Sequence, residues 1–376
     1  MKIKVNTSAW KDAVKKALSL VGSTSGDPNE SCIGISITEG NSYFLVLENG
    51  AHNTYIKLND IEIEEEGGCF IQYNSLSNLS KLEINPKEFT VTLQDNKLVY
   101  SVEKLGAVSE PIYHNQNPFN GKLFSSEQYT LLEEGNTPLI NLLKNGVKVY
   151  VDTTGANKTP AFIDVLLNGD KSIISGFLSD SEASSLMYSF KSDNKTGFNI
   201  KSSLLKKLNF LLEDGAKIEK SANTLQITSS KGSTVVSIGK DSTIGLNHKL
   251  NSFENDEVDS SALLKAEELS SVVKMQKYGE SATISIYSED NQLKVKGDKT
   301  EQASTLEYTE FSPFNLVKLS TDLFAGAVSI IPKNSTVTLK ITASEIGSKV
   351  IKTALLITET DDYTSTIDLQ EPATNK

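Results

Sequence analysis

The sequence predicts an α+β protein of three repeated domains, each with two helices packed on antiparallel sheets. Three observations predict it: an internal repeat at about one third of the chain length, many short runs of strict apolar/polar alternation, and six short segments striped at helical period. At 376 residues the chain has room for two or three separate cores.

The repeat is carried first by Phe70-Ile-Gln-Tyr, Phe198-Asn-Ile-Lys and Phe314-Asn-Leu-Val. Each reads as a short apolar strand that runs into a Ser-rich helix start and then a leucine- or alanine-rich helix. A second echo is a turn ending in Asn-x-Leu, at Asp95-Asn96-Lys97-Leu98, Ala222-Asn223-Thr224-Leu225 and Asp290-Asn291-Gln292-Leu293. Asparagine suits a turn position of positive φ, and each of these stands between two alternating strands. A half-period of about half the repeat gives each domain two similar halves, with domains expected over 1–117, 118–250 and 251–376.

Alternation places strands at Phe89–Leu93, Lys97–Val102, Thr224–Thr228, Ala282–Tyr287, Leu293–Lys296 and Thr336–Ile341. Helices are expected over Ser8–Leu20, Asn74–Leu82, Pro138–Tyr150, Ser202–Leu212, Glu267–Tyr278 and Ser320–Ile331. In the first, Trp10, Val14, Ala17 and Val21 form one apolar stripe; in the fourth, Leu204, Leu205, Leu208, Leu211 and Leu212 do the same. The third competes with a strand reading of Val147-Lys-Val-Tyr-Val.

Composition excludes several classes. With 38% hydrophobic and 23% charged residues, neither global disorder nor a fibrous repeat is indicated. No window is long and apolar enough for a membrane span, and Met1-Lys-Ile-Lys-Val lacks the apolar stretch of a signal peptide, so a cytoplasmic protein is expected. Cys32 and Cys69 open apolar runs without ligand spacing, which fits a reduced compartment.

Catalytic patterns are missing too. His52, His114 and His248 are far apart and read as surface or turn residues. Gly239-Lys240-Asp241 and Gly169-Asp170-Lys171-Ser172 are only fragments of a phosphate loop. The run Glu62 to Glu66 reads as a solvated hairpin end before Gly67-Gly68. No enzyme activity, metal or cofactor is expected.

The formal charge of −11 argues against a polyanionic partner until the charges are sorted by element. All 37 basic residues are lysine, so the bidentate arginine grip on guanine edges is excluded. The six helices carry ten lysines, Lys11, Lys15, Lys16, Lys81, Lys144, Lys148, Lys206, Lys207, Lys274 and Lys277, against four acids, Asp12, Glu267, Glu268 and Asp322. At a physiological Debye length of about 8 Å, a phosphate near such helices is largely blind to acidic loops beyond them.

At this point the chain resembles the bacterial-type DNA sliding clamps, the beta subunit of the replicative polymerase. The resemblance is carried by Lys2-Ile-Lys-Val with Trp10-Lys-Asp-Ala-Val, by the unit from Phe198-Asn-Ile to Leu212, and by Phe314-Asn-Leu. Thr336-Val-Thr-Leu and the closing strands Ala354-Leu-Leu-Ile-Thr and Tyr363-Thr-Ser-Thr-Ile-Asp-Leu complete it. It implies a head-to-tail homodimer closed into a ring of six domains, with helices lining a hole that takes duplex DNA of any sequence. The ten lysines would face that DNA. It further implies a DNA polymerase and a clamp loader as partners, docking by a short peptide into a pocket. By position that pocket falls to Leu178, Ser179, Ile244, Leu246, Ile367 and Leu369. The closing Met, Pro and Arg-Leu pattern of cellular clamps is replaced here by Thr366-Ile-Asp-Leu and the tail Gln370 to Lys376, a departure compatible with a phage source. The competing reading is a β-rich repeat structural or virion protein without DNA binding, which gives no reason for lysine-bearing helices in each domain.

Overall fold

A computed structural model of the chain describes residues 1–21, 31–48, 51–81, 86–114, 128–134, 138–149, 162–169, 172–177, 185–239, 258–312, 316–346 and 349–371. Among them are six α-helices: α1 (Thr7–Leu20), α2 (Tyr73–Ser80), α3 (Pro138–Val149), α4 (Ser202–Lys207), α5 (Ala266–Tyr278) and α6 (Thr321–Ile330). Every strand pair among the described residues is antiparallel, as the alternation requires. The chain forms two compact units, residues 1–140 with 207–238, and residues 141–206 with 239–376.

The connectivity follows one rule, stated three times. Each helix is preceded by one strand and followed by three, with a fourth, Ile61–Glu65 or Tyr308–Phe311, after α1 and α5; the leading strands are exchanged between the two helices of a repeat. Lys2–Asn6, before α1, pairs with Glu88–Gln94, the first strand after α2. Gly67–Ile71, before α2, pairs with Ser31–Ile37, the first after α1. Thr130–Glu134 before α3 pairs with Lys217–Lys220 after α4, and Lys195–Lys201 before α4 pairs with Phe162–Asn168 after α3. Val258–Lys265 before α5 pairs with Thr336–Ile346 after α6, and Val317–Ser320 before α6 pairs with Thr283–Glu289 after α5. In the first and third repeats both exchanged pairs lie within one compact unit, whereas in the second one pair lies in each unit.

Strand pairing also joins successive repeats. In the first unit His52–Lys57, third after α1, pairs with Gly232–Ser237, third after α4. Gly232 has φ +143, and a Cβ there would meet the Tyr55 carbonyl oxygen at 2.0 Å, so only glycine fits where this junction strand begins. In the second unit Ser185–Phe190, third after α3, pairs with Tyr363–Gln370, third after α6. Two strands of the same rank remain. Ser304–Leu306, third after α5, pairs only with Gln292–Gly297 among the described residues. Gly106–His114, third after α2, pairs along one side with Lys97–Val102 and only at its end with Gly67–Ile71.

Local chemistry accounts for the elements. Asn6 caps α1 by accepting from the Ser8 and Ala9 N–H groups at 3.0 and 3.1 Å. The face bearing Trp10, Ala13, Val14, Ala17 and Leu20 is buried. Trp10 meets the edges of Phe44, Phe89 and Tyr100 with centroids 5.0, 6.0 and 6.1 Å away. In the second unit Gln276 of α5 is buried but satisfied. Its carbonyl oxygen accepts from Gly297 N–H and the Thr300 hydroxyl, both at 2.8 Å, and its amide donates to Ser304 at 3.2 Å.

Several expectations are corrected. The predicted helix Ser202–Leu212 stops at Lys207 and tightens into a 3-10 turn at Asn209–Leu211, through Leu211 N–H to Leu208 O at 2.9 Å and Leu212 N–H to Asn209 O at 3.2 Å. Asparagine is a poor helix former, and the tighter winding keeps Leu208, Leu211 and Leu212 buried. The segment 138–149 is helical, which disposes of the strand reading of Val147–Val149. Helix α2 ends at Ser80, leaving Lys81 as its C-cap. Asp95-Asn96 and Asp290-Asn291 have φ between +50 and +58 as expected, but Asn223 does not have positive φ. That loop is closed by Ser221, whose N–H donates to Thr224 O at 2.9 Å, and so needs no left-handed residue. The acidic run is not a hairpin end. Ile61–Glu65 is an edge strand on Lys2–Asn6, with Lys2 paired to Glu64 at 2.6 Å and the acids blocking further strand addition.

Candidate nucleic-acid interface

The lysines singled out from the sequence divide into two groups. Lys15, Lys206 and Lys274 are exposed on α1, α4 and α5, Lys11 and Lys144 are half-buried on α1 and α3, and Lys81 is exposed just past α2. None of these six forms an ion pair among the described residues. Lys16, Lys207 and Lys277 are engaged. The Lys16 ammonium pairs with Asp12 one turn away and stands 5.4 Å from the Phe210 ring centroid. Lys207 donates to the Leu20 carbonyl at 3.4 Å, and Lys277 pairs with Asp322 of α6 at 3.0 Å. The side chain of Lys148 lies outside the described residues. Since Lys81 is outside α2 and α6 has no lysine, four of the six described helices carry one, whereas the bounds read from the sequence, with Lys81 inside Asn74–Leu82, give five.

Placement follows from periodicity. On α1, burial of Trp10, Ala13, Val14 and Ala17 forces Lys11 and Lys15 toward the opposite side. On α5, burial of Leu269, Val272, Val273 and Gln276 does the same for Lys274. Glu267 and Glu268 in the first turn of α5 and Lys277 in its last turn complement the helix dipole, leaving Lys274 as the cation without a local acid.

Two apolar patches went unnoticed in the sequence. Met275 and Tyr278 of α5 are 63% and 93% exposed, beside the short strand Ser304–Leu306 to which Gln276 is hydrogen-bonded. Leu105 and Val108, at the turn into Gly106–His114, are 74% and 44% exposed. Met275 and Tyr278 fall off the apolar stripe of their helix, the one signal that could have drawn notice. Each patch borders one of the two strands of junction rank with an open side.

The pocket residues read from the resemblance are only partly described. Leu178, Ser179, Ile244 and Leu246 lie outside the described residues. Ile367 and Leu369 are buried in the last strand, Ile367 opposite Leu186 and Leu356, Leu369 opposite Ala354.

The groups that invite an enzymatic reading have structural explanations. Burial pushes the Cys32 thiol up to about 11 and Cys69 up to about 12, so neither is a thiolate nucleophile at neutral pH. His52 is not at the surface, as expected from the sequence, but buried at the start of His52–Lys57. A strand-initial position next to polar residues looks solvated until the strand from the next repeat covers it. The side chain of His114 and all of His248 lie outside the described residues.

No protein-family model matches the sequence, and no curated protein matches it. Solved structures do. The DNA polymerase sliding clamp of Bacillus subtilis aligns with a TM-score of 0.73 at 12% identity, covering 100% of both chains. The beta subunit of DNA polymerase from Streptococcus pyogenes aligns with a TM-score of 0.71 at 12% identity, again over 100% of both. The sliding clamp of Pseudomonas aeruginosa, solved with griselimycin bound, gives 0.73 at 10% identity over 99% of this chain and 100% of its own. Identities this low carry the architecture and not the individual side chains. With the exchanged leading strands repeated three times, they establish that this chain has the α+β fold of repeated domains found in the bacterial DNA polymerase beta-subunit sliding clamps, along its whole length.

Proposed function

We propose that the chain is a DNA sliding clamp that encircles duplex DNA and tethers a replicative polymerase, and that it is not an enzyme. The observation that carries this reading is the set of lysines on or at the end of helices that have no acid partner among the described residues, on a clamp fold whose total charge is strongly negative. Lys11, Lys15, Lys81, Lys144, Lys206 and Lys274 are the principal DNA-facing cations, and Lys148 is assigned to the same set from its sequence position. Lys16, Lys207 and Lys277 contribute less, because their ammonium groups are already engaged. Point-like, strongly hydrated lysines suit weak and interchangeable phosphate contacts, which hold a ring on any sequence while letting it slide. Tethering a polymerase to such a ring keeps its effective concentration at the primer end high and raises processivity without new chemistry.

The ring is a head-to-tail homodimer of three domains per chain, over 1–117, 118–250 and 251–376. Its closure follows the pairing rule seen at the two internal junctions. Ser304–Leu306 of one copy adds to the open side of Gly106–Glu110 in the other, with Met275 and Tyr278 covering Leu105 and Val108. A polymerase and a clamp loader dock by a short peptide at a pocket assigned to Leu178, Ser179, Ile244, Leu246, Ile367 and Leu369. The working compartment is the cytoplasm of a bacterium or an infected host.

The decisive experiment measures solution mass by light scattering together with retention on circular and linearised duplex DNA. A dimer that stays on circles and slips from linear ends is the expected result. A monomer without preference between the two overturns the clamp reading and favours a β-rich structural protein.

A further inference from the structure

A buried polar chain in the first compact unit crosses the strand junction between repeats. The His52 side chain is fully covered. Its Nε2 lies 3.3 Å from the carbonyl of Leu20, the last residue of α1, and its Nδ1 lies 2.9 Å from Thr54 Oγ1. Thr54 Oγ1 stands 2.7 Å from Oγ1 of Thr234, its register partner across the junction. Thr234 Oγ1 also lies 3.2 Å from the Asn53 carbonyl.

Donor and acceptor rules leave this chain two self-consistent states. A carbonyl only accepts, so in the neutral ring Nε2 carries the proton and donates to Leu20. Nδ1 then accepts from the Thr54 hydroxyl, and Thr54 accepts from Thr234. When a proton from solvent occupies Nδ1 as well, every bond beyond the ring reverses. Nδ1 donates to Thr54, Thr54 to Thr234, and Thr234 to the Asn53 carbonyl already within reach. No hydroxyl is stranded in either state.

The groups facing the ring decide which state holds. Glu48, from the adjacent strand Tyr43–Glu48, has its carboxylate 3.4 Å from Nε2 and favours the imidazolium. Lys207, from the end of α4, shares the Leu20 carbonyl and opposes it. Strand Gly232–Ser237 brings Thr234 and no titratable side chain, and α1 brings only the Leu20 carbonyl. Burial outweighs the rest and holds His52 below the usual histidine range.

We propose that His52, Thr54 and Thr234 form a proton-reversible hydrogen-bond relay that ties strand Gly232–Ser237 to the end of α1, and that uptake of one proton reverses the relay and destabilises the unit by placing a charge in this covered site. The exposed histidine of the unfolded chain binds that proton more readily than the buried one. The relay's stabilisation is therefore complete above the ordinary histidine range and lost as pH falls through it toward the folded value. This inference rests on the strand pairing and not on the clamp function, so it stands or falls independently of DNA retention.

The test is nitrogen NMR of the histidine side chains in the full-length chain between about pH 8 and pH 5, with His52→Gln to identify the signal. We expect the Nε2–H tautomer at neutral pH and a midpoint below that of free histidine. In Thr234→Val the reversed relay loses its acceptor, so the midpoint moves further down. The melting temperature of the parent chain falls on mild acidification by more than that of His52→Gln. An Nδ1–H tautomer, an ordinary titration, or a midpoint indifferent to Thr234→Val overturns the relay. If His52→Gln does not fold, comparison of the parent with Thr234→Val still decides, the signal being identified by its response.

Discussion

Single side chains show where local pattern ceases to inform. Trp10 was legible as core because it opens a helical stripe, and three aromatic edges surround it. Trp10→Ala should cost about 3–5 kcal/mol in chemical denaturation. Its neighbour Tyr100 behaves differently. The ring is buried against Trp10 and Phe89, but the hydroxyl has no hydrogen-bond partner among the described residues, and burial drives its ionisation well above the normal tyrosine range. Removing an unsatisfied buried group relieves its desolvation cost. Tyr100→Phe should leave the denaturation midpoint unchanged or raise it by about 1 kcal/mol; a loss of that size would place a water or partner on the hydroxyl. His52 lies beyond sequence reasoning altogether, since the residues that bury it come from positions near 20, 207 and 234.

At the level of helices, strands and turns the sequence was most informative where structure is local. Asn6 ends a strand and caps a helix at once, so Asn6→Ala should cost about 1 kcal/mol by loss of two N–H contacts. The Asp-Asn hairpins at 95–96 and 290–291 are left-handed because their two-residue turns join tightly paired strands. Asn291→Val should lower the melting temperature while Asn291→Gly should not, because a β-branched residue resists positive φ. The Ser221 turn uses a longer loop and escapes that demand, which is why Asn223 misled. The helix lysines give the functional prediction at this scale. Changing Lys15, Lys206 and Lys274 together to Glu should abolish retention on circular DNA and leave the melting temperature nearly unaltered, because all three are exposed; undiminished retention would refute their assignment to the interface.

For the whole molecule, the pairing rule carries more than any side chain. Third strands after a first helix meet third strands after a second helix at both internal junctions, and the two unmatched strands of that rank border the exposed Leu105 and Tyr278. Leu105→Asp or Tyr278→Asp should halve the mass seen by light scattering and release DNA circles, with each chain still folded. A persistent dimer in both variants would place the closing surface elsewhere. The docking pocket admits a separate check. Ile367→Ala with Leu369→Ala should abolish stimulation by a polymerase, but both residues are buried, so each truncation also costs about 2–5 kcal/mol. Stimulation must therefore be read below the melting temperature of the variant.

The sequence by itself determined the fold class, the threefold repeat and the positions of the helices, because periodicity, caps and left-handed turns are set by residues within a few positions of one another. It also determined the absence of arginine and hence of guanine-edge gripping by that side chain. Only the tertiary structure decided that leading strands are exchanged, that Lys16, Lys207 and Lys277 are occupied, that His52 is buried, and that α4 closes with a 3-10 turn. The exchange, the cover over His52 and the contacts of Lys207 and Lys277 depend on partners distant in sequence, and no local pattern encodes which strand will cover which edge.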